Sequence, residues 1–358
     1  MSMAAIFSYN HSFRLSSGFI LDSFYISYEC YGRLNAKKDN CILICPALTG
    51  DYKVTNDGWW DDIVGPGKAI DTSRFFVVST TVLGSCRGSL NPASLDPKTG
   101  LPYALNFPIV TIDDMVNAQK KLLESFNISS LFGVVGPSMG GMQALSWVTQ
   151  YPKFIKNCIV IATSSKFSPQ ALAFSTVART AVTSDPEWCD GKYLEKNVLP
   201  QKGLAIARML GHVTYLSAFA IDKKFGRKGE PIVPEAFSLD SFFEVERYLS
   251  YQGDKFVKNF DANSFLFLSK AMCYFDLEAQ YGSLIDAFQE VDSRFLILSI
   301  SSDWLYPPKE NQLIASTLMT LSKEVTYLCI DSDYGHDAFL VEQSKFSDYI
   351  DVFLEGAL

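Results

Sequence analysis

The stretch Val134 to Gln143 reads VVGPSMGGMQ and offers the first residue that could do chemistry, a serine held between glycines. Ser138 has glycine two residues before it and two after, where an apolar, strand-like run gives way to a helix-like one. This is the pattern of a nucleophile elbow. So tight a turn brings the residues at minus two and plus two close enough that a Cβ would clash, a physical reason for Gly136 and Gly140. Pro137 biases its predecessor toward extended geometry, as suits the end of a strand. The serine hydroxyl would then point outward, with the following helix N-terminus lending positive potential to an oxyanion formed there. Taken alone, the same residues also describe a glycine-rich turn with a surface serine.

A nucleophilic serine needs a base, and the chain offers three histidines: His11, His212 and His336. His11 lies in a terminal segment, and His212 falls within a helix-like stretch where packing is the commoner role. His336 follows the last strand-like run, in Asp331-Ser332-Asp333-Tyr334-Gly335-His336-Asp337, a polar turn expected at the carboxyl edge of a sheet. Asp303, in Ser301-Ser302-Asp303-Trp304-Leu305-Tyr306-Pro307-Pro308, follows the penultimate run and could orient the imidazole and stabilise its charged form. The chain order Ser138, Asp303, His336 is that of an α/β-hydrolase, with each member just after a strand. Separately, Asp303 reads as a cap and His336 as a turn residue; their joint placement favours the triad. A tetrahedral oxyanion would need two donors. The Met139 N–H supplies one, and the loop Cys45 to Gly50 after an earlier strand supplies the other, assigned to Leu48.

The elements that must position these groups are legible as short apolar, β-branched runs at Asn40 to Cys45, Phe75 to Thr81, Leu131 to Gly136, Cys158 to Thr163, Phe295 to Ser301 and Val325 to Ile330. Between them, Ile112 to Phe126 repeats apolar residues at three- and four-residue steps, as a helix does. Strand alternating with helix predicts an α/β fold with a mostly parallel sheet covered on both faces. The aromatic, alternating segment Phe19 to Leu34 predicts an antiparallel pair at the sheet edge. From about Phe167 to Asp292 the chain reads as helices, including one over Gly203 to Ala220. The expected organisation is an α/β-hydrolase core of residues 1–166 and 293–358 with an inserted helical lid over 167–292.

At 358 residues, 48% hydrophobic and 20% charged, the chain is long enough for one large core with an insertion. No apolar run approaches the ~20 residues of a membrane-spanning helix, so no membrane partner is expected. The start MSMAAIFSYNHSF lacks a basic segment followed by a continuous apolar one, which predicts a cytoplasmic protein. The eight cysteines are scattered, with no spacing that completes a metal site. A net charge of −8 without a basic run argues against nucleic acid as partner.

Beyond the elbow GPSMGGMQALSW, further segments carry a more specific pattern: PALTGD at Pro46 to Asp51, GWWDDIVGPGKAIDTSRFFVV at Gly58 to Val78, NPASLDPKTGLPYALNFPIVTIDDMV at Asn91 to Val116, GLAIARMLGHVTY at Gly203 to Tyr215, SDWLYPP, and GHDAFLVE at Gly335 to Glu342. On these the chain resembles the homoserine O-acetyltransferases of the methionine-pathway type, acyltransferases of the α/β-hydrolase superfamily. The resemblance implies a ping-pong reaction in which Ser138 takes an acetyl group from acetyl-CoA, a co-substrate with no further cofactor, and passes it to the hydroxyl of homoserine. It implies that Arg208 and Tyr215 from the lid, with Asp337, hold the amino-acid acceptor: Arg208 on the carboxylate and Asp337 on the ammonium group. Leu305 resembles acetyl-specific members, where succinyl-specific relatives tend to carry arginine. A homodimer through the lid is also implied. The chain departs from the family pattern at Pro46, Pro137, Leu90, Asn91 and Leu216, none of which removes a catalytic group. A serine or other hydroxylated acceptor, succinyl-CoA as donor, and an esterase or thioesterase with the same triad remain alternatives.

Overall fold

A computed structural model describes residues 5–229, 239 and 243–356. Eight strands form one sheet: β1 (Ala5–Tyr9), β2 (Phe24–Tyr31), β3 (Cys41–Ile44), β4 (Phe76–Thr80), β5 (Leu131–Pro137), β6 (Ile155–Ile161), β7 (Arg294–Ile300) and β8 (Val325–Ile330). Their order across the sheet is β1-β2-β4-β3-β5-β6-β7-β8. The β1–β2 and β2–β4 pairs are antiparallel, and every pair from β4 to β8 is parallel. This is the mostly parallel sheet that the alternation of strand and helix predicts.

Successive strand residues serve opposite faces, and both faces are covered. Leu43, Val78, Val134, Val160 and Ile297 enter one buried apolar cluster, whereas Ile42, Ile44, Val77, Val135, Ile159 and Leu298 enter another. Burial on both sides explains why these strands read as continuous apolar runs. On the first face lie α1 (Ile112–Ser125) and α2 (Met139–Gln150). Thr111 starts α1 by a capping box, its side chain accepting from the Asp114 N–H while the Asp114 carboxylate accepts from the Thr111 N–H. Met115, Leu122 and Leu123 are buried as the periodicity requires.

Between β6 and β7 the chain forms helices α3 (Pro169–Thr183), α4 (Gln201–Tyr215), α5 (Ala218–Phe225), α6 (Glu244–Val257) and α7 (Ala262–Tyr274), followed by two single-turn helices. Beyond β7 come α8 (Pro308–Thr320) and α9 (Ser344–Glu355).

Three expectations are corrected. The helix expected over Gly203 to Ala220 is two, because the chain turns by 103° between α4 and α5, where Ser217 caps α5 through the Ala220 N–H. The segment Phe19 to Leu34 does not pair with itself: β2 pairs with β1 and β4, while Ile20–Leu21 joins Phe13–Arg14 in a separate ribbon. The strand expected from Cys158 begins at Ile155 and ends at Ile161.

Candidate active site

Ser138 sits between β5 and α2 with φ 56° and ψ −122°, a left-handed conformation that a side chain rarely adopts. The glycines around it have identifiable reasons. A Cβ on Gly136 would lie 2.0 Å from the Gly140 carbonyl oxygen, the clash expected of an elbow. A Cβ on Gly140 would lie 2.2 Å from the Cys45 carbonyl oxygen, so this glycine admits the loop after β3 rather than its own turn. Gly141 makes room for Thr163, whose hydroxyl donates to the Ser138 carbonyl at 2.8 Å.

His336, 198 residues further along the chain, brings Nε2 to 2.9 Å from the Ser138 hydroxyl. Its Nδ1 lies 2.6 Å from Asp303 Oδ2. The other Asp303 oxygen accepts from the Leu305 and Tyr306 N–H groups at 2.9 and 2.8 Å, which fixes the carboxylate toward the imidazole. All three side chains are buried. For His336, burial acts to lower the pKa, but the charge and hydrogen bond of Asp303, together with the charge of Asp337, outweigh it and the net displacement is upward. An imidazole that readily holds a proton, hydrogen-bonded to a hydroxyl, is equipped to act as its general base.

The two expected oxyanion donors come from different elements. Met139 is the first residue of α2, and Leu48 belongs to the loop after β3. Among the described residues neither amide is bonded to a backbone carbonyl. The loop carrying Leu48 is held by Gln143, whose amide donates to the Pro46 carbonyl at 3.0 Å and in turn accepts from Gln119 at 2.8 Å. Trp147 donates to Gln119 at 2.8 Å, completing a buried polar chain under the elbow.

Tyr215 packs against His336 with ring centroids 6.0 Å apart. The Arg208 guanidinium lies 5.6 Å from the Tyr215 ring centroid and 4.9 Å from that of Phe256, with no carboxylate within ion-pair distance among the described residues. Asp337 follows His336; burial raises its pKa, and the charges of His336 and Arg208 oppose that rise. Leu305 lines an apolar cavity of about 80 Å³ together with Leu48, Tyr215, Phe167 and Met272. Tyr215 thus touches the triad at His336, Arg208 lies over Tyr215, and Leu48 and Leu305 line the cavity that Tyr215 also lines. The other two histidines are not part of the triad. His11 packs edge-on against Tyr9, and buried His212 bonds Tyr248 through Nδ1 at 3.0 Å, its pKa lowered to about 3 by burial and by the charges of Arg208, Lys224 and Lys255.

Sequence reasoning missed several contributors. Tyr306 stacks on His336 with centroids 5.0 Å apart and planes 29° from parallel, and the residue is buried. Trp304 donates from Nε1 to the Leu216 carbonyl at 3.1 Å, tying the Asp303 loop to the bend between α4 and α5. Gly335 (φ 71°) presses on the same bend, since a Cβ there would lie 2.6 Å from the Ser217 nitrogen. Both Tyr306 and Trp304 stood within the SDWLYPP segment, which was the available signal.

Among the described residues no cluster of His, Cys, Asp and Glu is arranged to hold a metal ion, and no single helix is long and apolar enough to cross a membrane.

The sequence family of the alpha/beta hydrolase fold matches residues 40–343, so the site and the sheet belong to an enzyme of that fold class. Within the class, the chain is 48% identical to a homoserine O-acetyltransferase of Methanobrevibacter ruminantium over 97% of this chain and 72% of that one. It is 46% identical to another of Rhodopseudomonas palustris over 99% and 91% of the two chains. The chain is thus a member of the homoserine O-acetyltransferase family. The solved homoserine O-acetyltransferase of Bacillus anthracis superposes with a TM-score of 0.92 at 28% identity, covering 99% of this chain and 98% of that one. Esterase E22 superposes equally closely, with a TM-score of 0.91 at 31% identity over 99% and 100%.

Proposed function

We propose that this protein moves an acetyl group from acetyl-CoA to the side-chain hydroxyl of L-homoserine through an acetyl-Ser138 intermediate. The observation that carries the reading is the unbroken contact chain Ser138–His336–Asp303 at 2.9 and 2.6 Å. Ser138 Oγ attacks the thioester carbonyl while His336 Nε2 takes its proton. The oxyanion is held by the Met139 and Leu48 N–H groups. Collapse expels the thiolate of CoA, which takes the proton from His336, and leaves acetyl-Ser138. The homoserine hydroxyl then gives its proton to His336 and attacks the ester carbonyl. The second tetrahedral intermediate releases O-acetylhomoserine and returns the proton to Ser138.

Arg208 pairs with the acceptor carboxylate and Asp337 with its ammonium group, Tyr215 lying between them beside His336. Asp337 serves in its ionised form, which the neighbouring positive charges of Arg208 and the bound ammonium favour. The helices over 167–292 act as a lid that keeps water, the competing nucleophile, from acetyl-Ser138. Leu305 gives the acyl group an apolar neighbour, which suits acetyl and leaves a succinyl carboxylate without a cation.

The likeness to esterase E22 supports one second reading, hydrolysis by the same triad. Incubation with acetyl-CoA, with and without homoserine, separates the two. Transfer gives CoA release that rises with homoserine and O-acetylhomoserine in equal amount. Release that ignores homoserine and yields only acetate means hydrolysis.

A further inference from the structure

We infer that a cationic cavity beside the site, between the loop after β3 and helix α6, binds the phosphorylated nucleotide end of the acyl donor, with Lys255 and Arg87 contacting phosphate. The inference rests on acetyl-CoA being that donor. The cavity has a volume of about 300 Å³ and is lined by Arg87, Arg208 and Lys255, with Gln252 and Asn259 as neutral polar neighbours and, among the described residues, no carboxylate. Such a concentration of positive charge stands out in a chain whose net charge is −8.

The charges are largely uncompensated. Among the described residues Lys255 and Arg208 have no ion-pair partner, and Arg87 pairs with Asp51 at 3.3 Å while its buried Nε has no hydrogen-bond partner. Like charges grouped without an anion repel one another, and a bound phosphate reverses the sign of that interaction. Phe256 and Phe260, stacked with centroids 4.9 Å apart, give the same cavity an apolar wall. Phosphate beside apolar surface is the chemistry of a nucleotide.

Position supports the assignment. Thr49 lines this cavity and its neighbour Leu48 lines the apolar one; Arg208 lines this cavity and stacks on Tyr215, which lines the other. A long donor with phosphates in the first can therefore lay its uncharged arm in the second, beside Leu305. Arg208 is left to the acceptor carboxylate. The rival cavity, about 420 Å³ beside Asp337, carries Lys223 and Lys224 but also Asp333 and Asp337, and Lys224 lies over the Tyr248 ring at 4.4 Å. Its charges are balanced within it, so it offers an anion less.

The test is calorimetric titration of the full chain with coenzyme A and with pantetheine, which lacks the nucleotide. Lys255→Ala and Arg87→Ala are compared with the double variant Lys223→Ala/Lys224→Ala. Lys255 is exposed, so its truncation leaves the fold intact. The expected result is that each of the first two weakens coenzyme A by about tenfold or more relative to pantetheine, and that the double variant does not. Unchanged coenzyme A affinity in both single variants, or a loss confined to the double variant, overturns the site. If coenzyme A does not bind the wild type although 4-nitrophenyl acetate acetylates Ser138, both the donor and the site are overturned. If coenzyme A binds and the single variants lose it, yet acetyl-CoA never yields O-acetylhomoserine, the site stands and the proposed reaction fails.

Discussion

Ser138 is held in a backbone conformation that costs on the order of 1–3 kcal/mol, and it persists because β5, α2 and Thr163 fix it from three sides. The pH dependence of its reactivity follows from His336. Only the neutral imidazole can take the serine proton, and the Asp303 carboxylate, with the charge of Asp337, prevails over burial to raise the histidine pKa above its ordinary 6.5. Acidification therefore removes the base earlier than in an unpaired histidine. The burst rate with 4-nitrophenyl acetate should fall as pH drops, with a midpoint above 6.5, and a midpoint at or below 6.5 would contradict the pairing. The same raised pKa adds to folding stability below the unfolded value and ceases to do so as pH rises through the folded one. At this scale the nucleophile, base and orienting acid were legible because each sits at a strand end with a distinctive neighbour. Tyr306 and Gln143 were not, since what gives them meaning lies across the fold: an imidazole 30 positions later for one, the Pro46 carbonyl for the other.

The bend between α4 and α5 is the element that joins the helical insertion to the site. Trp304 donates to the Leu216 carbonyl, Ser217 donates to the Asp333 carbonyl, and Gly335 packs on the Ser217 nitrogen, so both triad loops rest on it. Gly335→Ala tests this, with Gly67→Ala as its control. Both glycines have positive φ, 71° and 69°, but a Cβ on Gly67 would meet nothing within 4 Å. The control should lose about 1–2 kcal/mol from backbone strain and keep its burst rate. Gly335→Ala should melt at a lower temperature than the control and acylate at least about tenfold more slowly. Equal melting temperatures and equal rates would mean that the bend does not position His336. The bend was hidden in the sequence because apolar residues continue through Leu216, with no glycine or proline between His212 and Ala220. The cue present was Ser217 as an N-cap, and the contacts that turn the chain come from loops about 90 and 120 positions away.

Across the whole molecule, the central strands were readable because burial on both faces makes most of their positions apolar. β1 was not, being an edge strand whose residues alternate between half-buried and exposed. The order in which the strands assemble is what makes the triad possible: β5, β7 and β8 end at the same edge of the sheet and deliver Ser138, Asp303 and His336 from segments separated by up to 198 residues. The cationic cavity likewise draws on the loop after β3 and on α6, and no local sequence pattern announced it. That convergence makes covalent transfer through one serine the central claim. Intact-protein mass spectrometry after rapid mixing with acetyl-CoA, without acceptor, tests it most directly. The wild type should gain the mass of one acetyl group, mapped to Ser138 by peptide analysis and discharged on adding homoserine, while Ser138→Ala gains none; an adduct that persists on Ser138→Ala, or a wild type that makes O-acetylhomoserine with no adduct at any time, would contradict it.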